Sequence, residues 1–105
     1  MSSFPFVFVI VPTCNRAHVL KRALDSVLAQ TMKNFELLVV DDGSTDDTDL
    51  VLAAFSDSRL RVIRQKNRGV SAARNTGLAA ARSHLHVLLI YLEKKRRSSD
   101  RRKDS

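Results

Sequence analysis

Residues 6–11 (FVFVIV) form an unbroken β-branched and aromatic run between Pro5 and Pro12, the pattern of a strand buried on both faces, as in a parallel sheet. The period then changes. Val19, Leu20, Ala23, Leu24, Val27 and Leu28 recur every three or four residues with Lys21, Arg22, Asp25 and Ser26 between them, which predicts an amphipathic helix over residues 17–30 with Asn15 as its N-cap. Residues 35–40 (FELLVV) read as a second strand, closed by the turn formers of 41–46, which can also cap a helix over 48–55. Residues 60–64 (LRVIR) partly alternate, as expected of a strand nearer an edge. A loop with Asn67, Arg68 and Gly69 leads into an alanine-rich helix over 71–82, and residues 85–92 predict a fourth strand.

Strand and helix therefore alternate along the chain, which predicts an α/β fold, a parallel sheet wound by crossover helices. Ligands of such sheets gather beyond the carboxyl ends of the strands. Chemistry is expected in the loops at 12–16, 41–46 and 66–70. Three helices for four strands should leave some apolar surface uncovered, which predicts self-association.

Composition narrows the class. A length of 105 residues allows one domain, and 44% hydrophobic residues exclude a disordered or collagen-like chain. The single cysteine, Cys14, excludes a disulfide scaffold or structural zinc cluster and points to a reducing, cytoplasmic location. The apolar runs fall short of the roughly 20 residues needed to span a bilayer, and the opening FPFVFVIV lacks the basic start and small-residue cleavage site of a secretory signal. The net charge of +7 is uneven. Residues 93–105 hold seven Lys/Arg against three Asp/Glu, so a mildly basic body, 1–92, is followed by a basic tail, 93–105, expected to be disordered. Such a tail makes a small nucleic-acid or anionic-surface binding module the alternative reading. No aromatic residue follows Tyr91 to stack on bases, so no specific nucleic-acid partner is expected.

The three loops carry the candidate chemistry. Pro12, Thr13, Cys14, Asn15 and Arg16 bring a hydroxyl, an amide and a guanidinium to a helix start, where unpaired N–H groups can receive an anion; the competing reading is an ordinary strand-to-helix turn. Neither G-x-G-x-x-G nor G-x-x-x-x-G-K-[ST] occurs, which removes the dinucleotide and P-loop readings. Asp41 and Asp42 can accept hydrogen bonds from a ribose or a base N–H, or serve only as turn and cap residues. Gly69 permits close backbone approach, and Arg68 and Arg74 flank a helix start as a diphosphate site would require, or are simply solvated. Three polar loops converging on one edge are a stronger signal than any one of them. His18, His84 and His86 do not form a metal set, and Cys14 has no neighbouring histidine to make it a nucleophile.

The ordered blocks VIVPTCNR (9–16), LDSVLAQT (24–31), FELLVVDDGSTD (35–46) and NRGVSAARNTG (67–77) resemble the family 2 glycosyltransferases over about residues 6–82. That resemblance implies the Rossmann-like, nucleotide-binding half of a GT-A fold and inverting transfer of a sugar from a nucleotide-diphosphate donor to an acceptor. Pro12 to Arg16 would then lie against the nucleoside, Asp42 would hydrogen-bond the base with Asp41 beside it, and Gly69 to Arg74 would face the ribose or diphosphate. Many relatives carry a base-stacking tyrosine where this chain has Cys14. Relatives also use a divalent cation, Mg or Mn, held by an acidic Asp-x-Asp motif expected near residues 90–93, where this chain has Ile90, Tyr91, Leu92 and Glu93. The family pattern stops after Arg82. Residues 1–82 are therefore expected to be the donor-binding beginning of a transferase and 83–105 a divergent or out-of-frame ending. The resulting truncated 1–92 domain is expected to bind nucleotide sugar, to hold no metal or catalytic residue of its own and to be inactive alone, or to act as a non-catalytic interaction subunit.

Overall fold

Seven elements follow one another in the computed structural model: β1 (Val7–Thr13), α1 (Ala17–Leu28), β2 (Phe35–Asp42), α2 (Thr48–Ala53), β3 (Leu60–Gln65), α3 (Val70–Ala80) and β4 (His86–Leu89). The structure describes residues 7–30, 34–81 and 86–92. Phe6, Arg82, His84, Leu85, Glu93 and the basic segment 93–105, all assigned above, lie outside the described residues.

The four strands form one parallel sheet in the order β3-β2-β1-β4. The continuous apolar runs of β1 and β2 follow from their central position, since both faces of each are covered. On one face Val9, Val11, Leu37 and Val39 pack against Leu20 and Leu24 of α1 and Leu52 of α2. On the other, Phe8, Ile10, Leu38 and Val40 pack against Ala73 and Ala81 of the α3 region. Burying a side chain such as Leu20 or Leu24 contributes about 1.5–3 kcal/mol. The alternation of LRVIR matches the position of β3 at one edge.

Strand boundaries differ from expectation: β2 runs on through Asp41 and Asp42, which pair with Arg64 and Gln65 of β3 and are not turn residues, and the ends of β1 and β4 differ for a shared local reason. β1 continues through Pro12 and Thr13, which pair with Val40 and Asp41 of β2. The Ile10 carbonyl faces β4 and accepts the Ile90 amide at 2.9 Å. Two residues on, Pro12 faces the same side and has no N–H to give, so the β1–β4 ladder ends while β1–β2 pairing runs on. That ending stops β4 at Leu89 instead of at Leu92 as expected. Val87 and Leu88 of β4 remain 38% and 51% exposed, the uncovered apolar surface that three helices leave.

Candidate functional site

All four strands end at the same edge, which brings the loops after β1, β2 and β3 together. The first two are joined by a reciprocal clasp. Asn15, in the left-handed region at φ 54°, accepts the Thr45 amide at 2.7 Å and the Asp46 amide at 3.2 Å on its side-chain oxygen, while its own amide donates to Ser44 Oγ at 2.8 Å. Asp46 returns the contact by accepting the Ala17 amide at 3.0 Å. Asn15 is therefore not the cap of α1. Arg16 holds the N-cap position without a side-chain bond, and the capping carboxylate comes from Asp46 in the neighbouring loop. Asp46 also accepts the amide and hydroxyl of buried Thr48. Desolvation would raise the Asp46 pKa, but the bonds from Thr48 and Ala17 outweigh it and hold the carboxyl below its ordinary value.

The second and third loops meet on Asp42, which is buried at the end of β2. One carboxylate oxygen accepts Gln65 Nε2 and the Arg68 amide, both at 2.9 Å, and the other accepts the Gly69 amide at 2.9 Å. Gln65 is oriented in turn by the Thr76 hydroxyl of α3, which lies 2.7 Å from Gln65 Oε1. Burial pushes the Asp42 pKa up, yet these donors and the nearby Arg68 charge prevail, and the group stays ionised below the ordinary carboxylate range. Asp41 is equally buried and accepts the Ser44 amide at 3.1 Å. Gly43, at φ 78°, lets the two loops touch: a Cβ there would come within 2.7 Å of the Asn67 amide nitrogen.

A cavity of about 180 Å³ opens at this edge, and Pro12, Thr13, Cys14, Arg16 and Asp42 all line it. Val70 and Ala73 of α3 form one further wall, and Tyr91 and Leu92 beyond β4 form another. Thr13 Oγ1 is buried and has no hydrogen-bond partner among the described residues. Burial and the charges of Asp42 and Asp41 push the Cys14 thiol above its ordinary pKa, against a smaller lowering by Arg16; its Sγ accepts Asn67 Nδ2 at 3.3 Å. A thiol held protonated in this way is a poor nucleophile.

Five of the nine expected site residues thus share one cavity. Asn15 and Asp41 tie its loops together, Gly69 is tied to Asp42, and Arg74 is half-buried on α3, next to the lining residue Ala73 but not itself in the lining. Val70 and Ala73 fall in the 69–74 segment and Asp46 in the 41–46 loop, as expected, whereas Gln65, Thr76 and Tyr91 were not expected at the site. Gln65 carried a partial signal, since it ends a strand at the edge where ligands collect. The described residues do not fit a divalent cation. Ile90, Tyr91 and Leu92 bring no carboxylate to the end of β4, Asp41 and Asp42 are engaged by backbone amides, and among the described residues no group of three His, Cys, Asp or Glu is suited to a metal.

Comparison with known proteins agrees with this geometry. The family model described as Glycosyl transferase family 2 matches residues 8–92. The chain is 50% identical over 74 residues to glycosyltransferase GlyA of Streptococcus pneumoniae, covering 69% of this chain and 11% of that protein. It is 42% identical over 76 residues to the UDP-Glc:alpha-D-GlcNAc-diphosphoundecaprenol beta-1,3-glucosyltransferase WfgD of Escherichia coli, covering 71% of this chain and 30% of that one. Among solved structures, the mannosyltransferase PcManGT from Pyrobaculum calidifontis, in complex with GDP-Man and Mn2+, superposes with a TM-score of 0.67 at 33% identity, over 76% of this chain and 25% of that chain. The chain thus spans between a tenth and a third of the length of these relatives.

Proposed function

The chain belongs to glycosyl transferase family 2, and from that premise we propose that its described residues hold the nucleotide of a nucleotide-diphosphate sugar, the donor of an inverting sugar transfer. The observation that carries this reading is the single cavity at the carboxyl edge of the sheet, shared by Pro12, Thr13, Cys14, Arg16 and Asp42 from two separate loops. Asp42 is already fixed and ionised by three donors, and a carboxylate has about four acceptor sites, which leaves one for a base N–H. Arg16 and, further along α3, Arg74 supply guanidinium charge toward the diphosphate.

Donor binding is the part of the reaction this chain is suited to. Transfer also requires a group to deprotonate the acceptor and charge to stabilise the departing diphosphate. Among the described residues, the carboxylates at this edge, Asp41 and Asp42, accept hydrogen bonds from loop amides. The described residues are therefore expected to contribute donor binding rather than the transfer step, and the exposed Val87 and Leu88 of β4 to support self-association.

Calorimetric titration with uridine, guanosine and thymidine diphosphates, with and without manganese, tests the proposal. Saturable heat with at least one of them is expected. Baseline heats for all three overturn the binding reading, and sugar transfer by the isolated chain overturns the separation of binding from catalysis.

A further inference from the structure

Resting on the donor-binding reading, we infer that Tyr91, which lines the cavity at the carboxyl edge of the sheet, supplies the aromatic face on which the nucleobase stacks.

Tyr91 is 51% exposed, yet it lines the same cavity as Cys14 and Asp42. Its position is set by its neighbours. The Ile90 amide is bonded to the Ile10 carbonyl, and both Ile90 and Leu92 pack into the core beneath α1. Leu89 packs on the opposite, α3-side core. Tyr91 alternates with Ile90 and Leu92, which puts it on the α3 side, where Val70 and Ala73 form the facing wall. Val70 is itself 60% exposed, so the cavity has two apolar sides that solvent reaches and that a flat ring system would cover.

A polar group between these walls is of the kind that reads a base edge. Asp42 offers an acceptor fixed by the loop amides of Arg68 and Gly69. The volume of about 180 Å³ is below the range of about 300–1,000 Å³ usual for whole-ligand pockets, which suits one end of a nucleotide, the base, with the phosphates lying outside. Base–aromatic stacking tolerates every base because each has a π-face, so Tyr91 contributes affinity while Asp42 contributes selectivity.

The chain has one tyrosine and no tryptophan, so aromatic ring signals of tyrosine in the full-length protein report Tyr91 alone. Titration with guanosine and uridine diphosphates, followed by proton NMR and calorimetry, is compared with titration by inorganic pyrophosphate, which lacks a base. Upfield movement of the Tyr91 ring protons is expected with the nucleotides and not with pyrophosphate. Tyr91→Ala should weaken nucleotide binding about tenfold or more, Tyr91→Phe should bind as the parent does, and pyrophosphate affinity should be equal in all three. Equal nucleotide affinity for the parent and Tyr91→Ala, or loss in Tyr91→Phe as large as in Tyr91→Ala, overturns the stacking role while leaving donor binding intact. Absence of binding by the parent to every nucleotide overturns the donor reading and this inference with it.

Discussion

Asn15 and Asp46 hold each other's loops: the Asn15 side chain accepts the Asp46 amide at 3.2 Å, and the Asp46 carboxylate accepts the amide of Ala17, two residues beyond Asn15, at 3.0 Å. Asp46 thereby caps α1 from another loop and fixes Thr48 at the start of α2. Asp46→Ala should cost about 1–2 kcal/mol in urea unfolding, the usual range for a lost N-cap, and Asn15→Ala should cost a similar amount. Because the two residues serve one clasp, the double variant should lose less than the sum, and strict additivity in a double-mutant cycle would contradict the reciprocal arrangement.

Acid should loosen the same edge. Asp42 and Asp46 both have folded pKa values below their ordinary ones, because donated hydrogen bonds outweigh burial. A carboxyl depressed in the folded state binds protons more readily when unfolded, so its contribution is complete above the unfolded value of about 3.9 and is lost as pH falls through the folded value. Half-buried Asp57, held to about 2 by its hydrogen bonds from Arg59, acts in the same direction. The urea midpoint should therefore decline steadily below about pH 5. Asp42→Asn should make that decline shallower, and an unchanged slope would show that Asp42 does not couple folding to protonation.

The core was legible in the chain because central parallel strands must be apolar on both faces, which FVFVIV and FELLVV announce without reference to anything distant. Pro12 misled as a strand boundary because its missing N–H faces β4 and leaves the pairing with β2 intact. Asn15 has the composition of a cap, but the choice between capping its own helix and holding residues 45 and 46 is made by the packing of β1 beside β2. Gln65, Thr76 and Asp42 span 35 positions and become neighbours only through the crossover from β3 to α3. Tyr91 was read as part of a strand, and its place at the cavity follows from where β4 stops pairing.

The Thr76–Gln65–Asp42 chain sets the charge state at the cavity floor. The Thr76 hydroxyl has one proton to share between Gln65 Oε1 at 2.7 Å and the Ala72 carbonyl at 3.0 Å, and the shorter contact fixes which end of the Gln65 amide faces Asp42. Thr76→Val keeps the shape and removes that proton. The Gln65 amide then turns more freely, Asp42 loses one of three donors for part of the time, and its pKa should rise toward the ordinary carboxylate value. Carboxyl carbon shifts followed through a pH titration measure this directly in the ligand-free protein. Thr76→Ser should restore the parent value, and a Val variant that titrates like the parent would show that Gln65 needs no orienting partner.

Gly77 sits on the buried face of α3 directly over Ile10 of the central strand, and a Cβ added there would collide with the Ile10 Cγ2 methyl, with Cδ1 next at 3.2 Å. Glycine in a helix interior ordinarily gives way to alanine with a gain of about 0.5–1 kcal/mol. Here overpacking, at about 1–3 kcal/mol, opposes that gain. The collision involves a fully buried side chain that Phe8, Leu38 and Val40 hold in place, so it should prevail and Gly77→Ala should destabilise. Ile10→Ala alone should cost about 2–5 kcal/mol through the cavity it leaves. In the double variant the new methyl partly fills that cavity, so unfolding free energies should show the pair to be less destabilised than the sum of the singles. A stabilising Gly77→Ala would mean that α3 can lift from the sheet without cost. In that case the seat of Val70 and Ala73 at the cavity wall would be adjustable, because both residues ride on the same helix.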